Sequence, residues 1–99
     1  MGKYDEALEY IYRALEINPR SMIATTTLAE INAHKNNLKE FYKNLELAFN
    51  FGLDSGTFQT VLEEEDVYEP FYEDAKFLDL LGKYNISIDF SSIKNLTRD

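Results

Sequence analysis

Apolar residues recur every three or four positions through the first half of the chain, which is the spacing of one helix face. A first helix is predicted over about residues 4–17, with an apolar face made of Ala7, Leu8, Ile11, Ala14 and Leu15. Asn18-Pro19 ends this helix, because the residue before a proline avoids the helical backbone region. Ser21 is well placed to cap a second helix, which is predicted to run to about His34.

The second and third helices follow the same periodicity. The second is predicted to bury Ala24, Thr25, Leu28 and Ile31. Asn36-Asn37 then predicts a tight turn, since asparagine tolerates left-handed backbone angles. A third helix is predicted to end at Gly52, the residue type usual just beyond a helix. Its buried stripe would be Leu38, Phe41, Leu45, Ala48 and Phe49.

The periodicity is weaker in the second half of the chain. A short helix capped by Asp54 or Ser55 is predicted, and an amphipathic helix over about residues 74–84. Residues 85–99 begin with alternating apolar and polar side chains, a pattern that is typical of a strand. A single strand would have no sheet to join, so we expect an extended segment packed on the last helix.

The first predicted helix carries a recognisable pattern of residue types. Glycine, tyrosine, alanine, a bulky apolar residue, alanine and a closing proline stand at Gly2, Tyr4, Ala7, Ile11, Ala14 and Pro19. This order and spacing resembles the second half of a tetratricopeptide (TPR) repeat. A 34-residue unit over residues 22–55 continues in register, with Leu28-Ala29 where the family has Leu-Gly. Residues 69–81 resemble the degenerate hairpin that often closes such arrays.

The resemblance implies an all-α fold, namely the carboxyl-terminal part of a repeat array. Its architecture would be an antiparallel helix-hairpin, TPR-like right-handed solenoid fragment with a degenerate closing helical hairpin and an extended tail. The helical domain would cover residues 1–84, and the tail residues 85–99. Within the domain we expect the second half of a repeat, a full repeat and the closing hairpin over residues 2–21, 22–55 and 56–84.

The resemblance also implies a function, since members of this family bind a protein or peptide in a groove lined by the first helix of each repeat. The groove-facing positions here would be Ile23, Thr26, Glu30 and Ala33. The family's carboxylate clamp needs Lys and Asn at such positions, and Glu30 would repel a terminal carboxylate, so that ligand is excluded. The same residues could equally be plain surface positions.

The first predicted helix would lack the hairpin partner that its family supplies, because a repeat helix does not bury its face alone. Either the chain is the end of a longer array, or this face pairs with a second copy in a homodimer. The candidate self-association face is Leu8, Ile11, Tyr12 and Leu15. Tyr10 and Tyr12 do not both fit on the buried face, so we expect at least one of them to be exposed.

Composition narrows the classes of partner. Fourteen aromatic residues among 99 argue against disorder, and the net charge of −8 makes nucleic acid an unfavourable ligand. No apolar run approaches the length of a membrane span, and no signal segment is recognisable. The absence of cysteine excludes disulfides and thiolate metal sites. We therefore expect a cytoplasmic protein-binding chain with no membrane contact.

Candidate catalytic residues are few. His34 is the single histidine and falls at a predicted helix end, where a cap or surface role is usual. The carboxylates Asp66, Glu69, Glu73 and Asp74 lack the ligand order and central glycine of a calcium loop. We expect no catalytic activity, no cofactor and no metal.

Overall fold

The computed structural model describes residues 2–93, with side chains from Tyr4 onward. These residues form five α-helices, two 3₁₀ helices and no strand. The α-helices are α1 (Gly2–Ile17), α2 (Met22–His34), α3 (Leu38–Asn50), α4 (Ser55–Glu64) and α5 (Ala75–Lys83); the 3₁₀ helices are Asp66–Phe71 and Phe90–Ser92. The all-α class predicted from the periodicity is confirmed for this part of the chain. The chain divides into two units, one ending at Gly52 and one beginning at Leu53.

The helix boundaries in the first unit coincide with the predicted caps and turns. The Ser21 hydroxyl accepts a hydrogen bond from the Ala24 N–H at 3.1 Å, so it satisfies one amide at the start of α2. Asn36 has a φ of 60° in the turn between α2 and α3. Gly52 follows α3 with a φ of 115°, a backbone angle at which a side chain would be strained.

Packing of α1 on α2 forms the core at the start of the first unit. Ile11 is buried in one cluster with three residues of α2, namely Ala24, Leu28 and Ile31. Tyr4, Ala7, Leu8, Ala14 and Leu15 pack around this cluster while keeping some exposure. The Tyr4 ring also stacks on the His34 ring, with centroids 5.7 Å apart.

The buried stripe of α3 is the predicted one except at its first residue. Phe41, Leu45, Ala48 and Phe49 are buried. Leu38 is 44% exposed, so the prediction that it is buried was wrong. It is the first residue of the helix and follows the exposed Asn36-Asn37 turn, where few neighbours can cover it.

The second unit begins with a capped helix. Asp54 accepts a hydrogen bond from the Thr57 N–H at 2.8 Å, and this bond lowers the pKa of the Asp54 carboxyl. Asp74 caps α5 in the same way. Between the two helices, the rings of Phe58, Tyr68 and Phe77 pack together with centroids 5.2–6.4 Å apart.

The tail follows a different course from the predicted one. The expected extended segment contains a 3₁₀ turn at Phe90–Ser92, and its hydrogen bonds to other elements go mainly to α4 rather than to the last helix. The Gln59 carboxamide accepts from the Asp89 N–H at 2.6 Å and donates to the Asp89 carbonyl and the Ser92 hydroxyl. The sequence pattern missed this because Gln59 lies about thirty residues away. Residues 94–99 of the predicted tail lie outside the described residues.

Ala48 and Ala14 allow a matched test of the packing. Ala48 has no exposed surface, whereas Ala14 is half-buried beside an open groove. We expect Ala48→Leu to lower the free energy of unfolding by about 1–3 kcal/mol, because a full core has no room for the added carbons. Ala14→Leu should change it by less than about 1 kcal/mol. Urea unfolding of both variants checks this, and equal losses would contradict the assignment of Ala14 to an open edge.

Gln59 should control the order of the tail. In Gln59→Leu the four hydrogen bonds that its carboxamide makes are lost. We expect the amides of residues 86–93 to exchange with deuterium faster, while those of α4 keep their protection. Thr60→Leu is the matched control, since the Thr60 hydroxyl bonds only to the Gly56 carbonyl of the same helix. Unchanged exchange in Gln59→Leu would show that the tail is held by other contacts.

Candidate functional site

A shallow groove of about 390 Å³ runs between α1 and α2. Its floor is formed by Ile11 and Ala24, which are buried in the helix-packing core. The remaining lining residues are Tyr10, Ala14, Ser21, Ile23 and Thr27. The groove is therefore mainly apolar, and its base is part of the core that joins the two helices.

Large apolar side chains stand exposed beside this groove. Tyr10 is 72% exposed and Ile23 is 73% exposed, and both line it. Ile17, which is 87% exposed, follows Tyr10 two helical turns later on the same side of α1. Single exposed apolar residues are common, but a group of them around one depression is typical of a binding surface.

The sequence produces this surface through a second apolar stripe on α1. Tyr10, Ala14 and Ile17 are spaced by four and three residues, so they form a row beside the stripe that contacts α2. Thr27 adds a small side chain from α2, and its hydroxyl donates to the Ile23 carbonyl at 2.9 Å. Because that hydroxyl is satisfied within its own helix, an apolar group entering the groove would not leave it unpaired.

Charged residues lie on the side of α1 that carries Tyr10. Glu6 and Arg13 lie on the same side of the helix as Tyr10, one turn before and one turn after it. Arg13 makes an exposed ion pair with Glu9, with 3.5 Å between its Nη2 and the Glu9 Oε2. An ion pair of this length and exposure contributes little to folding, so both side chains remain available to a partner.

A second depression of about 450 Å³ lies along α1 itself. It is lined by Asp5, Glu6, Leu8, Glu9 and Tyr12, so three of its five residues are carboxylates. Its lining contains no basic side chain. Tyr10 and Tyr12 are both exposed, which confirms the prediction that at least one of them would be.

The four residues predicted to line a ligand groove do not come together as a set. Ile23 lines the groove between α1 and α2. Thr26 was predicted to face a partner, but it is only 6% exposed and its hydroxyl donates to the Met22 carbonyl at 2.7 Å. That prediction was wrong. Glu30 and Ala33 are half-buried and lie outside the groove lining. Threonine at a core position of a helix keeps its hydroxyl satisfied in this way, and the sequence pattern alone did not reveal it.

The predicted self-association face is largely occupied. Ile11 is 7% exposed and belongs to the core with α2, and Leu8 and Leu15 pack partly against that core. Ile11 cannot belong to an unpaired face, because α2 covers it, whereas Leu8 and Leu15 keep part of their surface exposed. Tyr12 alone of the four is exposed. Besides Tyr12, the large apolar side chains that α1 leaves exposed are Tyr10 and Ile17. The row formed by Tyr10, Ala14 and Ile17 was the signal in the sequence that could have indicated them.

Among the described residues, no group of three histidine or acidic side chains is arranged to hold a metal ion.

The Tyr72 hydroxyl is buried and has no hydrogen-bond partner among the described residues. Burial raises the pKa of Tyr72, and the nearby charges of Glu69 and Asp66 raise it further. Over residues 2–93, no helix has both the length and the apolar character needed to cross a membrane.

Comparison with known proteins gives one informative similarity. Over 83 residues the chain is 30% identical to the Sol locus transcriptional repressor of Clostridium acetobutylicum. The match covers 81% of this chain and 24% of the repressor, so the chain spans about a quarter of that protein's length. No protein-family model matches the chain, and no solved structure matches it.

Ile11 and Ile23 separate a core role from a surface role. We expect Ile11→Ala to lower the free energy of unfolding by about 2–5 kcal/mol, because it leaves a cavity between α1 and α2. Ile23→Ala should change it by about 0.5 kcal/mol or less, because the side chain is already in water. Urea unfolding monitored by circular dichroism measures both. A large loss in Ile23→Ala would show that Ile23 serves the fold rather than a partner.

Proposed function

We propose that this chain is a non-catalytic protein-interaction scaffold of the TPR type, and that its binding surface is the groove between α1 and α2. The proposal includes the helix-hairpin solenoid architecture that the residue pattern of the first two helices resembles. We also propose that the chain acts in the cytoplasm. The partner is a protein or peptide rather than a nucleic acid or a membrane.

The observation that carries the proposal is the exposed apolar rim of the groove. Tyr10 and Ile23 stand on opposite sides of a depression whose floor is already core, so a partner side chain placed there would extend that core. A tyrosine at such a rim buries a large ring at a low cost in side-chain entropy, as is usual at protein interfaces.

The similarity to a transcriptional repressor is compatible with the same role. If a part in repression carries over to this chain, its net charge of −8 disfavours direct contact with phosphate groups. In that case we expect this chain, which matches about a quarter of the repressor, to take part in repression by binding another protein.

The alternative is a structural function, in which the chain is the capping or homodimerising end of a longer TPR protein. The exposure of Ile17 and Tyr10 on α1 favours it as well, since a further helix or a second copy would cover both. The two functions share one fold and differ in what occupies the groove.

Photo-crosslinking in the cells that encode the protein distinguishes the two. A benzoylphenylalanine residue at position 23 would lie on the groove, and one at position 43, where Lys43 is exposed on α3, serves as the control. We expect position 23 to give a specific adduct with a protein, either a different one or a second copy of the chain, identified by mass spectrometry, and position 43 to give only background.

Adding Tyr10→Asp should remove the position 23 adduct, because a carboxylate at the rim would have to be desolvated. Adducts of the chain with itself alone would favour the homodimerising function. A position 23 signal no stronger than that at position 43 would contradict the groove as a binding surface.

A further inference from the structure

The charge of the chain is distributed unevenly between its two units. Residues 1–52 carry six basic and seven acidic side chains, a net charge of −1. Residues 53–99 carry four basic and eleven acidic side chains, a net charge of −7. The first unit as a whole is therefore nearly neutral, although the whole chain is strongly acidic. The first units of two copies therefore add little to the charge repulsion between them.

The charges along α1 are ordered in a way that suits an antiparallel copy. Glu6 and Arg13 are seven residues apart on one side of the helix, with Tyr10 between them. Seven residues span about 10 Å of helix, so each charge lies about 5 Å from a point beside Tyr10. A two-fold axis through that point exchanges the two positions. It places Glu6 of each copy opposite Arg13 of the other.

From this arrangement we propose that the groove between α1 and α2 is a homodimer interface, with the α1 helices of two copies packed antiparallel around Tyr10. The inference rests on the second of the two proposed functions, since it makes a second copy the occupant of the same groove. An isologous contact of this kind uses one patch twice and closes on itself. Two reciprocal Glu6–Arg13 ion pairs flank a central contact between the Tyr10 rings.

The apolar residues support the same register. The two Tyr10 rings meet at the axis and remove each other's exposed faces from water. Ala14 is small enough to let a second helix approach to the usual interaxial distance of about 8–10 Å. Ile23 on α2 extends the apolar area beside the axis. A basic peptide is a weaker fit, because the groove lining contains no acidic residue.

Reversing the two charges tests this register. We expect the unmodified chain to dimerise with rising concentration, and Glu6→Arg and Arg13→Glu each to weaken the dimer by at least about tenfold, since either change creates two like-charge contacts. A mixture of the two single variants should associate again. The Glu6→Arg copy then presents two arginines to the two glutamates of the Arg13→Glu copy. The double variant should likewise dimerise like the original chain.

The measurement is sedimentation velocity over a concentration series, with circular dichroism to confirm that each variant is folded. Lys43→Glu is the matched control, because it changes the net charge by the same amount as Arg13→Glu at an exposed position of α3. It should leave the dimer unchanged. Restored association in the mixture cannot arise from unfolding of either variant, so it would support the two-fold arrangement specifically.

Three results would overturn the inference. The first is an unmodified chain that stays monomeric up to millimolar concentration. The second is a dimer that neither single charge reversal weakens, and the third is a mixture that does not associate. If the chain is monomeric while the position 23 probe still crosslinks to another protein, the second copy is excluded and the groove's binding function stands. If neither occurs, both proposals fail.

Discussion

The contact of Ile11 with α2 decides which parts of the first helix face water. Once Ile11 packs against Ala24, Leu28 and Ile31, the rotation of α1 about its axis is set, because a helix presents only one stripe of about 100° to a neighbour. Tyr10 and Tyr12 then fall on opposite flanks of that stripe, and both are exposed. The apolar surface of α1 is wider than the stripe that contacts α2. The part left over carries Tyr10, and the groove lies beside it.

The features that were predictable from the sequence depend on residues close together in the chain. The cap at Ser21 and the positive φ angles at Asn36 and Gly52 follow from the chemistry of one residue and its next few neighbours. Helix periodicity is local in the same sense, so the buried stripes of α2 and α3 were also correct apart from Leu38. Such signals can be recognised without knowing which helices pack together.

The features that were not predictable depend on which elements meet. The tail is held by Gln59, about thirty residues earlier, and an exposed glutamine in a helix gives no sign of its partner. The site was only half predictable for a similar reason. Ile23 was identified, but Thr26 was assigned to the groove because the repeat resemblance places it there, and Ile11 to an open face because the resemblance supplies no partner helix for α1. Residue types define candidate faces, and packing decides which of them stay open.

The distribution of charge along the chain helps to explain why an apolar groove can remain exposed to water. Apolar side chains such as Tyr10, Ile17 and Ile23 invite indiscriminate association unless something opposes it. The net charge of −8 on the chain opposes association at long range, and the near-neutral first unit adds little to that repulsion. Association is then selective for a surface that matches the groove in both apolar shape and the order of charges along α1. A second copy of α1, reversed in direction, meets both conditions with residues that the chain already contains.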